Sequence, residues 1–298
     1  MSLWKTVCET SFEGKLMRFG RILLLGSFLF YLHGESAFPA EVLREATTVT
    51  CSQGRRARVQ LRSTDRLPDA TGVAKVERQG GITTVAAELD GLKPATLFGG
   101  DYNTYVLWVV SPDGQIINLG EFMLEGTRSQ LQATTNLSAF AIFVTAEPHY
   151  LVTIPSAFVV LENEAGKHGS TIRHPILQGI YNFERGSLED VKEARGKVHT
   201  EVKQAFTAVR LAHRARADVL AKDELSQAEH ALDETLRLFR QRADQNEIIA
   251  QARETVRLAV AAQNLAEDRA LLGARVVAEG SGGGNAESQG RDPRGVQQ

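Results

Sequence analysis

Cysteine is scarce in this sequence of 298 residues, which contains only Cys8 and Cys51. Two cysteines cannot provide the framework of several disulfides that stabilises small secreted domains. If an N-terminal leader is removed, Cys8 is lost with it and Cys51 keeps no disulfide partner within the chain. We therefore expect Cys51 to be a buried, unreactive thiol, and an intermolecular disulfide is the alternative.

An excess of charge of one sign is also lacking, because 34 Lys and Arg residues stand against 36 Asp and Glu residues. The formal net charge is -2 and the isoelectric point is near 6.4. A protein that binds nucleic acid needs a basic surface to displace counterions from the phosphates. The composition therefore argues against nucleic acid as a partner, while 43% hydrophobic residues suffice for a packed core.

The familiar motifs of catalysis and metal binding are absent from the sequence. None of the seven histidines stands in an H-E-x-x-H pattern or in a Cys/His ligand spacing. Residues 166–171 (GKHGST) resemble a phosphate-binding loop, but His168 follows Lys167 where such a loop needs Ser or Thr. No G-x-S-x-G turn presents a nucleophile. We therefore predict a protein that is not an enzyme, with no catalytic, cofactor-binding or metal-binding residues and no cofactor.

An apolar run long enough for a membrane-spanning helix is lacking too. Ile22 to Leu32 covers about half of the ~20 residues that such a helix needs. Basic residues precede this run and small residues follow it: Lys15, Arg18, Arg21, Ala37 and Ala40. That order predicts a secretory signal peptide over residues 1–40, cleaved between about residues 34 and 40, and hence a periplasmic or cell-envelope location. An uncleaved leader that anchors the chain is the alternative, and Met17 is an alternative start to Met1.

Residues 41–163 show the alternation of apolar and polar residues that is typical of β-strands. Residues 57–61 (ARVQL) alternate, and residues 105–110 (YVLWVV) are apolar on both faces, as in a central strand. Residues 111–114 (SPDG) favour a β-turn, so the chain from 105 to 122 is predicted to form a hairpin. Short strands at this spacing predict an immunoglobulin-like β-sandwich.

Three aromatic residues in this region are candidates for a binding surface. Trp108 lies in the run that is apolar on both faces, so we expect it in the core, with a binding anchor as the alternative. Tyr102 and Tyr105 stand near a Gly-Gly turn and are weaker candidates for exposed binding residues.

Residues 188–279 change to the apolar period of a helix. Breaks near 217–222 and 242–244 divide this region into three helices, which predicts an antiparallel three-helix bundle. Asp223 and Asp244 are the expected N-caps of the second and third helices.

The apolar seams of these helices are rich in alanine, so the bundle alone buries limited area. We expect the helices either to pack onto the sandwich or to pair between two copies. The leftover apolar residues that would mediate pairing are expected to face water otherwise: Leu238, Leu258 and Leu265.

Two further segments complete the expected organisation. Residues 164–187 are predicted to be a linker, in which 176–183 could form one more edge strand. Residues 280–298 are rich in Gly, Ser and Gln and should be disordered. The predicted fold class is α+β with segregated domains.

Several short motifs carry a resemblance to known families. Residues 89–92 (LDGL), 105–108 (YVLW), 111–114 (SPDG) and 119–122 (LGEF) together resemble the extracytoplasmic sandwich of anti-sigma-K-type proteins. Residues 136–150 (NLSAFAIFVTAEPHY) resemble acidobacterial envelope proteins of the OmpA family. The Ala-rich stretch from about residue 200 to 272 is similar to an uncharacterised helical domain that precedes OmpA-type domains.

A bundle of long helices with small-residue seams, joined to a sandwich that lacks any reactive cluster, predicts an exported, non-catalytic scaffold or adaptor that binds other envelope proteins or self-associates through its helices. The alternative is a membrane-anchored extracytoplasmic sensor or regulator with an anti-sigma-type sandwich. We see no zinc-binding sigma-factor module before the leader and no OmpA-type domain after the helices. We therefore expect neither anti-sigma activity nor direct binding of peptidoglycan.

Overall fold

The computed structural model describes residues 40–99, 101–164, 171–178 and 197–282. The strands come first along the chain: β1 Ala40–Thr47, β2 Val49–Thr50, β3 Arg56–Ser63, β4 Thr71–Gln79, β5 Ile82–Asp90, β6 Thr104–Val110, β7 Ile116–Phe122, β8 Ser129–Thr135, β9 Ala139–Glu147, β10 Val159–Asn163 and β11 Thr171–Gln178. The helices follow: α1 Lys197–Arg214, α2 Ala217–Leu220, α3 Lys222–Gln241 and α4 Gln245–Gly282. This order confirms the predicted α+β class in which strands and helices are segregated along the chain.

Eight of the strands form one antiparallel path in the order β7-β6-β9-β10-β3-β4-β5-β8, and β2 pairs with β9 beside this path. The two end strands lie next to each other, because a Cβ on Gly120 of β7 would stand 3.6 Å from the Leu131 side chain of β8. The sheet is therefore nearly closed around its apolar interior.

The predicted hairpin over residues 105–122 is confirmed. β6 pairs with β7 in antiparallel register, from Tyr105 opposite Phe122 to Val110 opposite Ile116. Gly114 closes the turn, where its N–H donates to the Ser111 carbonyl at 3.0 Å, and its φ of 88° favours glycine. All residues of β6 are buried, as its apolar pattern predicts.

Both faces of β6 and β9 lie in apolar cores. Trp108 is 0% exposed on the outer face, and its Nε1 donates to Thr145 Oγ1 at 2.7 Å. The prediction that Trp108 is a core residue is confirmed. The prediction that Tyr102 and Tyr105 are exposed is wrong, because both rings are buried in the interior core. The tyrosine hydroxyl of Tyr105 stays satisfied there by donating to the Lys93 carbonyl at 2.5 Å.

Cys51 is also buried in the interior core, and among the described residues it forms no disulfide. Burial raises the pKa of its thiol, against the opposing effect of the nearby Arg78 charge. The prediction of a buried thiol at Cys51 is confirmed, whereas Cys8 lies outside the described residues.

A two-stranded ribbon of β1 and β11 covers part of the outer face of the sheet. The two strands pair in antiparallel register from Ala40 opposite Gln178 to Thr47 opposite Thr171. This ribbon includes a strand within the stretch 164–187 that the sequence predicts to be a linker. The sequence signal for strand β11 is weak because Pro175 and the buried His174 interrupt the apolar alternation of Ile172 and Ile176.

The three long helices pack against one another, and α2 is a single turn at the first predicted break. Alanines form much of their shared core, including Ala205, Ala228, Ala252 and Ala259. Leu238, predicted to face water, is instead buried against Val202 of α1 and Ile248 of α4. Leu258 and Leu265 are partly buried against the alanine core.

The helix ends agree only in part with the expected caps. Asp244 Oδ1 accepts a hydrogen bond from the Asn246 N–H at 2.8 Å, which confirms the predicted cap of α4. The predicted cap at Asp223 is wrong, because α3 begins at Lys222 and already includes Asp223. The N-cap of α3 is Ala221, which makes no side-chain cap. α4 continues to Gly282, so it includes the first residues of the predicted tail.

Among the described helices, none combines the length and the apolar character that a bilayer-crossing helix requires. Several predicted segments lie outside the described residues. These are the leader up to residue 39, the loop 165–170, the part of the predicted linker and edge strand from 179 to 187, the helix start at 188–196 and the tail 283–298.

Candidate functional site: the interface between sheet and helices

The strands and helices meet in a shared interface that contains apolar and charged side chains. Leu211 of α1 inserts into the interior core of the sheet. In return, Tyr150 and Leu151, which follow β9, pack against the alanine core of the helices. Each region thus supplies side chains to the core of the other. We call this contact the sheet–helix interface.

Arg253 of α4 lies at the centre of the interface between two carboxylates. Its Nη2 donates to Glu201 Oε1 of α1 at 2.8 Å and also to Glu121 Oε1 of β7. The side chains of Glu121 and Glu201 are almost completely buried, whereas that of Arg253 is 37% exposed. We call Glu121, Glu201 and Arg253 the Arg253 cluster. It joins one strand and two helices through charge-assisted hydrogen bonds, which are stronger than neutral ones.

Neutral groups complete the hydrogen bonding around the Arg253 cluster. The second oxygen of Glu121 accepts from Gln204 Nε2 at 3.0 Å and from Thr104 Oγ1 at 3.1 Å. Gln204 Oε1 in turn accepts the backbone N–H of Tyr150 at 2.8 Å. The ring of Tyr150 lies 4.7 Å below the guanidinium of Arg253, a distance that allows a cation–π interaction.

A second group of charges fixes the C-terminal part of α1. Asp101, in the loop before β6, is buried and forms ion pairs with both Arg210 and Arg214. Next to it, Asn103 Nδ2 donates to Thr207 Oγ1 of α1 at 3.0 Å and to the Pro148 carbonyl at 2.9 Å. The loop before β6 is therefore bonded both to α1 and to the loop after β9. The loop after β9 is itself bonded to α1 through Tyr150 and Gln204.

The surroundings shift the pKa values of the two interface arginines Arg253 and Arg210 in opposite directions. Burial works against the charged form of Arg253, but the hydrogen bond to Glu201 and the charges of Glu201 and Glu121 together outweigh it and raise the pKa of that guanidinium. At Arg210, burial and then the charge of Arg214 lower the pKa. Both arginines stay charged at neutral pH because their ordinary pKa is above 12. These two arginines therefore contribute fixed positive charges to the interface.

Beneath the interface lies a buried acid that bonds to no charged side chain among the described residues. Glu147, at the end of β9, is fully buried, and its Oε1 accepts from Thr145 Oγ1 at 2.5 Å and from the Ser156 N–H at 2.7 Å. Burial raises the pKa of Glu147 to about 8, although both hydrogen bonds favour the ionised form. At neutral pH the carboxyl is therefore mostly protonated. Trp108, which donates to Thr145, extends the same hydrogen-bonded chain.

The histidines do not converge on a common site within the described chain. His149 is buried, and burial lowers its pKa to about 4. His213 and His230 lie on exposed helix faces. His199 differs, because it is half-buried edge-on against the ring of Phe239 at 5.1 Å. In the described ranges, no group of three or more His, Cys, Asp or Glu side chains could hold a metal ion.

An open cleft of about 1030 Å³ is lined by the last residues of β3 and β5 and the first residues of β4 and β8. Its rim carries charges of both signs, and several of these are paired with each other or with a neighbour. Arg128 Nε contacts Asp90 Oδ2 at 3.0 Å, and Arg62 Nη2 contacts Glu162 Oε1 at 2.7 Å. Because the paired charges satisfy each other, this cleft offers a weaker basis for a site than the sheet–helix interface.

Comparisons of the chain with protein-family models, with curated proteins and with solved structures gave no match.

Sequence reasoning missed the residues that form the sheet–helix interface. Glu201 and Gln204 lie beside the alanine seam of α1, at positions where a helix commonly carries solvated polar residues. The only signal in the sequence is that Glu201 and Gln204 border the alanine seam of α1 on the side opposite most of the charged residues of this helix. Asp101 and Glu121 stand in a loop and on a strand whose partners are distant in sequence, so no local pattern identifies them.

Proposed function

We propose that this chain is an exported cell-envelope scaffold or adaptor that binds other envelope proteins or a second copy of itself. The observation that carries the proposal is the sheet–helix interface, in which each region enters the core of the other. Buried charge pairs add directional bonds to this apolar contact. A unit built in this way presents a sheet surface and a long helix in a fixed relation, which suits a protein that positions partners.

α4 gives this unit a projecting end. It contains 38 residues, which corresponds to about 57 Å at roughly 1.5 Å per residue. Near its end, Leu272 and Val276 are 60% and 70% exposed, beyond the contact of Arg269 with the Leu220 carbonyl. Leu258 and Leu265 lie on the same stripe, at intervals of seven residues, within the packed part of the helix. The apolar stripe that binds inside the unit thus continues outside it.

We also propose the finer architecture that the sequence predicts, an immunoglobulin-like sandwich followed by a three-helix bundle. One interior core takes residues from both halves of the sheet, for example Leu107 and Val144 from one half and Val76 and Val85 from the other. Pairwise packing of α1, α3 and α4 supports a bundle. The short α2 lies at the bend between the first two long helices.

Export and location are tested by fractionating a bacterium that expresses the full chain and by sequencing the N-terminus of the product. We expect the protein in the periplasmic or envelope fraction, with a new N-terminus between about residues 34 and 40. Full-length protein found soluble in the cytoplasm would contradict this part of the proposal. An envelope protein with an intact N-terminus would favour the alternative, a membrane-anchored extracytoplasmic sensor or regulator.

The scaffold role is tested by site-specific photo-crosslinking in the same cells. A photoreactive residue at Leu272 or Val276 is expected to give discrete crosslinked species in the envelope fraction. The matched control is the same residue at Gln132, on the exposed polar face of β8, which is expected to give none. Equal crosslinking from the control, or none from α4, would contradict α4 as the contact surface.

A further inference from the structure

The ribbon of β1 and β11 encloses a small polar cavity against the sheet. The cavity has a volume of about 50 Å³, and among the residues around it are Arg44 of β1, Arg62 of β3, Glu162 of β10 and His174 of β11. A cavity of this kind, placed between two elements and lined by charges, makes their contact sensitive to the charge of its lining.

His174 is fully buried in this contact. Its ring stacks on Phe143 of β9 with the centroids 4.7 Å apart. Nδ1 lies 3.2 Å from the carbonyl oxygen of Pro175, so in the neutral ring Nδ1 carries the hydrogen and donates. Nε2 is then an acceptor, and in the described part of the chain it contacts no hydrogen-bonding group. The site thus accommodates a neutral imidazole.

The charges that face His174 are unfavourable to an added proton. Glu162 is shared by two arginines, with Oε2 2.6 Å from Arg44 Nη2 and Oε1 2.7 Å from Arg62 Nη2. β9 contributes only the apolar Ile142 and Phe143 to the cavity. The lining therefore carries one net positive charge before His174 is protonated, and two afterwards.

The ribbon depends on a small number of side chains for its attachment. Ile172 is buried in the outer core and Ala46 packs against it. Asn163 Nδ2 donates to the Thr47 carbonyl at 2.9 Å, and Arg44 pairs with Glu162. Because an isolated two-stranded ribbon is at best marginally stable in water, losing this contact would also loosen the pairing of β1 with β11.

We propose that the ribbon of β1 and β11 is an acid-sensitive latch, which protonation of His174 releases from the sheet. Burial and the charge of Arg44 lower the pKa of His174 below its ordinary value of 6.5, although the Pro175 carbonyl favours the protonated ring. A released His174 regains the ordinary value, so it binds a proton more readily than the docked one. Acid therefore favours release, and the effect grows as the pH falls from 6.5 toward the lowered pKa.

The release has a defined structural consequence. It uncovers Phe143 and its apolar neighbours on the outer face of β9, a surface that a partner strand or helix could cover. Glu162 stays ionised in this range, because the hydrogen bonds from Arg44 and Arg62 outweigh its burial and lower its pKa. The response is therefore assigned to His174 rather than to its acidic neighbour.

Hydrogen exchange measured by mass spectrometry on the whole chain between pH 7.5 and pH 5.0 tests the latch. After correction for intrinsic exchange rates, protection of the β1 and β11 amides is expected to fall by up to about tenfold per pH unit below pH 6.5. Protection in β3 to β5 should not change. In His174→Phe, whose ring can still stack on Phe143 but cannot bind a proton, ribbon protection should be independent of pH.

His213→Phe is the matched control, since His213 lies on the exposed face of α1 and pairs with Glu229 at 2.8 Å. It should leave the pH response of the ribbon unchanged. If His174→Phe does not fold, His174→Gln provides a second neutral side chain for the same measurement. A ribbon without pH response in the unmodified protein, or an unchanged response in the His174 variant, would overturn the proposal.

Discussion

Ion pairs on the two halves of the outer surface of the sheet differ greatly in their exposure to solvent. On the open half, Lys75 of β4 and Glu88 of β5 form an ion pair at 2.5 Å in which both side chains are 58% exposed. On the half covered by helices, Glu121 meets Arg253 with its carboxylate almost fully buried. Water solvates the first pair even when it separates, whereas it cannot do so for the second. A pair of a basic and an acidic side chain is thus a minor surface feature in one place and a structural requirement in the other.

The largest effect is expected from removing Trp108, the largest fully buried side chain of the outer core. Trp108→Ala should destabilise the chain by roughly 3–5 kcal/mol, because it leaves a cavity in the outer core. It also removes the donor that Thr145 accepts from. Urea denaturation followed by circular dichroism measures the loss. An unchanged unfolding midpoint would mean that Trp108 is not packed as described and would favour the alternative of an exposed binding residue.

Arg253→Met should have an effect of similar or slightly smaller size. The substitution keeps much of the apolar stem but leaves Glu121 and Glu201 buried without their counter-charge, which typically costs about 3–5 kcal/mol. Arg257→Met, one turn further along α4, is the matched control. Its pair with Glu254 is solvent-exposed, with 59% of the arginine side chain accessible, so we expect a loss of at most about 1 kcal/mol.

Equal effects of Arg253→Met and Arg257→Met in urea denaturation would remove the distinction between the covered and the open surface.

Glu147 should make the stability of the covered half depend on pH. Its pKa is about 8 in the folded protein, compared with 4.5 for an ordinary glutamate. The folded state therefore holds a proton that the unfolded state releases, and the free energy of unfolding should fall as the pH rises from about 5 to about 8. The slope approaches about 1.4 kcal/mol per pH unit.

Denaturation curves between pH 5 and pH 8.5 measure the contribution of Glu147. In Glu147→Gln, the amide oxygen can still accept from Thr145 and Ser156 but no ionisation follows, so the decline should be shallower. His149 contributes in the opposite sense, since its lowered pKa makes stability fall as the pH drops from 6.5 toward 4. Parallel curves for the protein and its Glu147→Gln variant would refute the assignment.

The smallest effect is expected on the open half. Lys75→Met removes the pair with Glu88, in which both partners are well exposed. The expected change in unfolding free energy is within about 1 kcal/mol, because solvent screens the pair and either partner can be hydrated alone. A loss comparable to that of Arg253→Met in the same denaturation experiment would show that the open half is not solvated as described.

Local patterns predicted the order of strands and helices and the hairpin over 105–122, since the spacing of apolar residues distinguishes strands from helices and the turn residues 111–114 mark the hairpin. It did not predict how the regions join. The residues that join them, such as Asp101 and Glu201, are polar and look like surface residues until their partners are known. Tyr102 and Tyr105 were misassigned for the related reason that a Gly-rich turn next to a strand does not reveal which way the rings point.

The ribbon illustrates a second limit of sequence patterns. β1 and β11 are separated by more than 120 residues, and their pairing register, with Leu43 opposite Pro175, carries no signal in either segment alone. His174 interrupts the apolar face of β11 although it is fully buried. A polar residue at such a position is assigned to the surface unless its cavity is known.

The sheet–helix interface should make one cooperative unit of two regions with different secondary structure. In the chain without the leader, Trp108 is the only tryptophan, so its fluorescence reports on the strands. Circular dichroism at 222 nm, read in the same urea titration, reports mainly on the helices. We expect the two probes to show one coincident transition, as a two-state unit requires. Separate midpoints, with the helices unfolding before the fluorescence changes, would contradict the account.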